Sequence, residues 1–337
     1  MDEITGFWAG AQDYAGQWDL LGAAERAGGW ESLERGGAEA LVALGVAPAR
    51  AAAWARTAPR RTVGTVITLA SPSYPALLRE IDAPPPVLVV EGAVDVLHLP
   101  ALAVVGTREA TRYGLSVASR LGSLLSEAGA AVVSGLARGI DGAAHRGALR
   151  TGRTVAVLAH GLGTTAPPSH RGLRRAIVEA GGAVVSVFPD EAPAMPYTFP
   201  RRNRWIAGLS QAVVVVEAPL KSGALHTARF AADQGRDVYA VPGPLGASQA
   251  AGCLRLLADG AGVVVDLEEL VEELLGVRGP DQPSWLQAVL EGHSLDRVSR
   301  LTGLTVVELL GRLSEAEARG QVVRVSGQGY APGWRRP

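Results

Sequence analysis

Four short stretches of the 337-residue chain hold residue types suited to gripping an anion or a nucleic acid. The first is Gly106-Thr107-Arg108, which ends an apolar run and precedes a helical pattern starting near Thr111. Glycine there lets backbone approach an anion, and the helix start beyond it offers unpaired amides. The second runs Ser134-Gly135-Leu136-Ala137-Arg138-Gly139-Ile140-Asp141. A hydroxyl, two glycines and an arginine at a strand end sit where a phosphate docks in α/β proteins. Asp141 is expected to cap the following helix. His145, one turn on, is expected to be structural or an anion contact rather than a metal ligand. The third stretch is Phe199-Pro200-Arg201-Arg202-Asn203-Arg204. An aromatic ring stacks single-stranded bases while arginines hold the backbone. Prolines on both sides of Tyr197–Phe199 place the ring on a loop. The fourth is Glu217 followed by Lys221-Ser222-Gly223 before a helix, a further anion-accepting terminus. No second carboxylate or activated nucleophile accompanies Glu217, so it reads as a structural hydrogen-bonding group.

These stretches exclude several chemistries. The GxGxxG spacing of a dinucleotide site is missing, and no glycine-rich P-loop precedes Lys221-Ser222. No catalytic residue, metal ligand or cofactor is assigned. The single cysteine, Cys253, lies in an apolar helical stretch and reads as a buried core thiol.

The elements that must position these groups alternate regularly from Leu102 onward. Apolar strands are expected at 102–106, 130–135, 154–161, 182–188, 212–219, 237–243 and 261–266. Helices are expected between them at Thr111–Ala128, Gly142–Leu149, His170–Ala180, Trp205–Leu209, Gly223–Asp233 and Gln249–Leu257. Continuous valine-rich strands imply a mostly parallel sheet covered on both faces. Such sheets bind ligands outside the carboxyl ends of their strands, where the four stretches fall. Residues 1 to about 60 read as short helices at Trp18–Arg26, Trp30–Arg35, Ala38–Leu44 and Pro48–Thr57, in the manner of a helix–hairpin–helix or sterile-alpha-motif bundle. Residues 65–98 give a strand, a short helix, a proline stop at Pro84–Pro86 and the strand VLVV. An acidic helix and a linker through Gly279, Pro280 and Pro283 follow the sheet region. The segment from Ser284 has the helix, helix, helix, hairpin order of a winged helix. The expected fold class is therefore α/β: a Rossmann-like sheet domain over 63–276, a small helical domain over 1–62 and a winged-helix domain over 284–337.

Charge sharpens the reading. The net charge is −1, so any polyanion site must be local. Residues 100–175 carry ten arginines against Glu109, Glu127 and Asp141, a local excess of seven. With hydrophobic residues at 47% the chain can bury a sizeable core. No signal-peptide pattern or apolar run of membrane-spanning length is seen, so a cytoplasmic protein with no membrane partner is expected.

In order and spacing, five stretches together resemble the DNA-processing protein A family, known as DprA or Smf. They are YPALLREIDAPPPVLVVEG (74–92), AVVGTREATRYG (103–114), VVSGLARGIDGAAHRGAL (132–149), FPRRNRWIAGLS (199–210) and VVVVEAPLKSGALHTA (213–228). The resemblance implies a protein of natural transformation that binds and protects incoming single-stranded DNA and loads the RecA recombinase on it. It implies a homodimer through the Rossmann-like domain and no catalytic activity. The family's DNA pocket maps to Arg108, Ser134, Gly135, Arg138, Phe199, Arg201, Asn203, Arg204 and Lys221-Ser222-Gly223; Gly106, Gly139 and Arg202 join them from the residue reading. The chain departs from the family at Thr164-Thr165-Ala166-Pro167, where an aspartate and a tyrosine are usual, and at Ser186-Val187, where Ser-Glu is usual. Two rivals remain. A nucleotide-processing enzyme lacks its glutamate after Pro242-Gly243. A winged-helix duplex binder would present Glu308, Glu315 and Glu317 to phosphates against only Arg312 and Arg319.

Overall fold

A computed structural model describes residues 2–14, 20–276, 284–290, 292–318, 322–325 and 329–332. Trp18, the Gly279–Pro283 linker, Arg319 and the turn at Gly327 lie outside the described residues. Residues 1–275 form one compact unit and residues 276–337 a second.

The first unit opens with β1 (Glu3–Ile4), α1 (Gly6–Tyr14), α2 (Leu20–Arg26), α3 (Trp30–Ala43), α4 (Pro48–Ala55) and β2 (Arg60–Arg61). Helix α3 is kinked at Gly37, where φ is 50°, which is why the sequence reads as two helices there. The Trp54 indole is fully buried and donates to the Phe7 carbonyl at 2.8 Å. Ile4, Trp8 and Trp54 share one apolar core with the sheet behind them.

The chain continues through β3 (Thr65–Thr68), α5 (Ala76–Arg79), β4 (Val87–Gly92), β5 (Ala101–Val105), α6 (Arg112–Glu127), β6 (Ala131–Ser134), α7 (Ile140–Ala148) and β7 (Thr154–Val157). Then come α8 (Arg171–Glu179), β8 (Ala183–Ser186), α9 (Thr198–Gly208), β9 (Ala212–Val215), α10 (Ala224–Asp233), β10 (Asp237–Ala240), α11 (Ala251–Ala258), β11 (Gly262–Val263) and α12 (Leu267–Leu275). Nine strands form one sheet in the order β11-β10-β9-β5-β6-β7-β8-β4-β3. The seven from β5 to β11 are parallel; β4 and β3 add antiparallel to the β8 edge. Alternate residues of β5 enter different cores: Leu102 and Val104 pack with α6 and α7, Ala103 and Val105 with the opposite face. A strand covered on both sides needs no polar residue, hence its continuous apolar run. The mixed α/β architecture read from the sequence is thus the observed one, a Rossmann-like sheet flanked by helical regions.

The strand order sets the site. From β5 the chain winds outward through β6, β7 and β8, then returns to pair β9 with the other side of β5. The connections leaving the carboxyl ends of β5 and β9 therefore diverge and leave a crevice between them.

The second unit contains α13 (Ser284–Leu290), α14 (Leu295–Thr302), α15 (Val306–Ala318) and the antiparallel pair β12 (Val322–Val325) and β13 (Gly329–Pro332). Its own core gathers Trp285, Leu286, Val298, Leu309, Leu313 and Val322. Among the described residues no helix is long and apolar enough to cross a membrane. Cys253 is buried, and burial pushes its thiol up to about 11.

His145 of α7 is fully buried behind the sheet. The Thr154 hydroxyl gives its one proton to the Val132 carbonyl at 2.9 Å and so accepts from His145 Nδ1 at 2.7 Å. Burial first, then the charges of His170, Arg202 and Arg146, pull the imidazole down to about 3. An unfolded chain takes up this proton below about pH 6.5, whereas the folded chain refuses it until about 3. Stability from this group is therefore complete above pH 6.5 and falls as pH drops toward 3. Urea unfolding between pH 7 and 4 should show His145→Asn losing about one proton's worth of that slope relative to wild type; equal slopes would contradict it.

Candidate nucleic-acid interface

The loop leaving β5 begins at Gly106, where an added β-carbon would lie 2.5 Å from the Ile140 side chain and 2.8 Å from the Glu217 carbonyl. Thr107 N–H donates to that carbonyl at 2.7 Å, tying the β5 loop to the β9 loop. The Glu217 carboxylate, 6% exposed, accepts from the Thr111 amide at 2.8 Å and the Thr111 hydroxyl at 2.5 Å. It thereby fixes the start of α6, the structural role its isolation in the sequence implied.

The loop leaving β6 is tied down from several sides. The buried Ser134 hydroxyl donates to the Val104 carbonyl at 2.7 Å. Gly139 has φ of 77°, and a β-carbon there would sit 2.2 Å from the Thr107 carbonyl. Only glycine fits that approach. Asp141 departs from its expected role. It lies inside the first turn of α7, and its carboxylate accepts from the Gly135 and Ala137 amides at 3.1 and 3.4 Å. It ties the preceding loop instead of capping its own helix. Burial raises this carboxyl above its usual range, and Arg202 opposes the shift.

The third stretch is helical, not a loop. Helix α9 begins at Thr198, with Phe199 and Pro200 in its first turn. First-turn amides have no intrahelical partner, so proline is tolerated there. The helical turn then separates the arginines. Arg201 is exposed, its guanidinium 5.9 Å from the Phe188 ring centroid. Arg202 is 4% exposed and donates through one nitrogen to the carbonyls of Gly135 and Val157, both at 2.6 Å. Its Nε donates to Asn203 Oδ1 at 3.1 Å, and Asn203 Nδ2 donates to the Gly223 carbonyl at 3.0 Å. A β-carbon on Gly135 would meet the Arg202 guanidinium at 2.1 Å, which accounts for that glycine. Burial pulls Arg202 down to about 10, with Asp141 opposing, so it stays charged at neutral pH. Arg204 does not join Arg108 as the sequence suggested: it donates to the backbone carbonyl of Asp82 and lies 3.4 Å from its carboxylate.

What opens to solvent is a cleft of about 410 Å³ at the crevice between β5 and β9. Gly106, Arg108, Phe199, Arg202, Asn203, Lys221, Ser222 and Gly223 line it, while Arg138, Arg201 and Arg204 do not. The Arg108 guanidinium lies over the half-buried Phe199 ring, 5.0 Å from its centroid. His226 also lines the cleft from the first turn of α10. The sequence reading passed over it, although its place three residues after Gly223 puts it on the same helix start. The departing Thr164–Pro167 segment is not part of the lining; Arg174 holds it through the Thr164 carbonyl and the Thr165 hydroxyl. Among the described residues no three His, Cys, Asp or Glu side chains converge as metal ligands would.

The family described as DNA recombination-mediator protein A matches residues 65–275. The chain is 41% identical over 278 residues to protein Smf of Escherichia coli strain K12, covering 76% of this chain and 74% of that protein. Among solved structures it resembles DNA processing protein A of Streptococcus pneumoniae, with TM-score 0.67 and 28% identity over 80% of this chain and 98% of that one. It also resembles DNA processing protein A of Helicobacter pylori, a structure concerned with that protein's single-stranded DNA binding mode. There the TM-score is 0.58 and the identity 26%, over 64% of this chain and 99% of that one.

The two adjacent arginines of α9 should behave oppositely in urea unfolding. Arg202→Ala leaves two buried carbonyls unpaired and should cost about 1–3 kcal/mol for each. Arg201→Ala should stay within about 0.5 kcal/mol of wild type. Equal losses would contradict the assignment.

Proposed function

The chain belongs to the DNA recombination-mediator protein A family, and on that footing we propose that its cleft binds single-stranded DNA for transfer to a recombinase. The observation that carries the reading is the pairing of Arg108 with Phe199 at the mouth of the cleft. An aromatic face stacks any unpaired base, and an arginine beside it holds the adjoining phosphate without regard to sequence. Lys221, Ser222 and Gly223 supply further cation, hydroxyl and amide donors from the β9 loop. Arg138 is exposed on the β6 loop and reaches the strand from the rim. Gly106, Ser134, Gly135, Gly139, Arg202 and Asn203 shape the walls.

The fuller role goes with this reading. The protein protects incoming single strands in natural transformation, in the cytoplasm, and loads RecA on them as a homodimer through its Rossmann-like domain. Residues 1–62 act as a small helical domain of sterile-alpha-motif type, 63–276 as the DNA-binding domain and 284–337 as a winged helix. On α15 the exposed Glu308, Glu315 and Glu317 outnumber Arg312 and disfavour phosphate contact, so the last is an accessory element.

Single-strand binding followed by fluorescence anisotropy at three salt concentrations tests the reading. Arg108→Ala should cost about 1.5–3 kcal/mol and flatten the salt slope by about one phosphate's worth. Phe199→Ala should cost about 1–3 kcal/mol with little change in slope. Arg204→Ala and Arg312→Ala should each stay under about 0.5 kcal/mol. If Arg312→Ala were the most damaging and Arg108→Ala silent, the site would belong to the second unit.

A further inference from the structure

The ten arginines between residues 100 and 175 divide sharply in the structure. Arg120, Arg150, Arg174 and Arg175 pair with Glu268, Glu127, Glu91 and Glu179, and Arg153 donates to the Ser126 carbonyl. Arg108, Arg112, Arg138, Arg146 and Arg171 are exposed, and none of these five has a carboxylate partner among the described residues. Three of them, Arg112, Arg146 and Arg171, stand outside the cleft and outside any role assigned above; Arg112 opens α6, and the other two lie on α7 and α8.

Their placement is specific. Arg146 lies in the second turn of α7, but its side chain runs back toward the helix N-terminus, as long helical side chains do. A β-carbon built on Gly142, one turn earlier, would lie 3.3 Å from its terminal nitrogen. The same point would lie 2.8 Å from His170 Cε1, so the Arg146 head and the His170 ring share one spot. His170 Nδ1 donates to the Leu136 carbonyl at 2.9 Å, fastening the segment before α8 to the β6 loop. Arg171 is the first residue of α8, directly after that anchor. Arg138, Arg146 and Arg171 thus border one surface over the carboxyl ends of β6 and β7, beside the cleft at β5. Between residues 131 and 178 the only carboxylate is Asp141, which is buried and held by two backbone amides. Exposed Arg120, Arg150 and Arg175 on this stretch meet carboxylates, whereas Arg138, Arg146 and Arg171 do not.

We propose that a bound single strand leaves the cleft across the β6 and β7 loops, and that Arg146 and Arg171 hold the phosphates of its outer nucleotides. This rests on the reading of the cleft as a single-strand site. The contacts are to backbone, so they add length-dependent affinity without base preference.

Anisotropy titrations of the full chain with oligothymidines of about six and about twenty bases separate the two claims. The double variant R146A/R171A should bind the long strand roughly tenfold more weakly and change the short one less than about twofold. Its salt slope on the long strand should fall by about 1.4, or about 0.7 per phosphate lost. R146K/R171K, which keeps the charge, should recover most of the affinity. Arg108→Ala should weaken both lengths alike. If the double variant binds the long strand as wild type does, or loses equally on both lengths, the strand does not take this path, although the cleft reading stands. Failure of wild type to bind either oligonucleotide overturns the cleft reading and this one with it.

Discussion

A guanidinium buried almost completely, that of Arg202, fixes the relation between the loops that make the cleft. It donates to the ends of the β6 loop and of β7, and through Asn203 it reaches the β9 loop. A buried charge is costly unless its donors are matched, and here the acceptors are fixed carbonyls with Asp141 as counter-charge. Because the β6 loop, the end of β7 and, through Asn203, the β9 loop all hang on one guanidinium, they cannot drift independently. Gly135 belongs to the same constraint, since any side chain there would displace the guanidinium.

The topology turns that constraint into a site. The winding of strands away from β5 in both directions opens the crevice, and Glu217 and Thr107 cross-link its two sides. With the inner arginine committed to structure, Arg108 faces solvent over Phe199. The near-zero net charge conceals this division: carboxylates pair with several arginines along the helices, whereas the exposed arginine of the β6 loop, Arg138, has no carboxylate partner among the described residues. A field of one sign concentrated on one edge recruits a polyanion even when the whole molecule is neutral.

Much of this was legible in the sequence. The apolar strands, the two-faced burial and the strand-end location follow from valine runs and alternation alone, and isolated Glu217 was rightly read as structural. What misled was the third stretch. Its prolines suggested a loop, and a loop would let Arg201, Arg202 and Arg204 act together. A helix begun at Thr198 rotates successive residues by about 100° and sends the three side chains to solvent, to the interior and to Asp82. Asp141 misled for a related reason: a carboxylate in a helix's first turn can serve the loop before it as well as the helix after it. His226 is marked in the sequence only by its closeness to Gly223 and Arg146 only by its share of the local charge, because lone basic residues on helices are ordinary until the fold shows what surrounds them.

The central claim, that this cleft takes unpaired nucleotides, is tested most directly by competition. A labelled oligothymidine bound to the full chain would be displaced by unlabelled single strand or by a blunt duplex of equal length. Stacking on Phe199 requires a base outside a helix, so the single strand should compete at far lower concentration, with the difference shrinking in Phe199→Ala. Equal competition by the duplex would contradict the account.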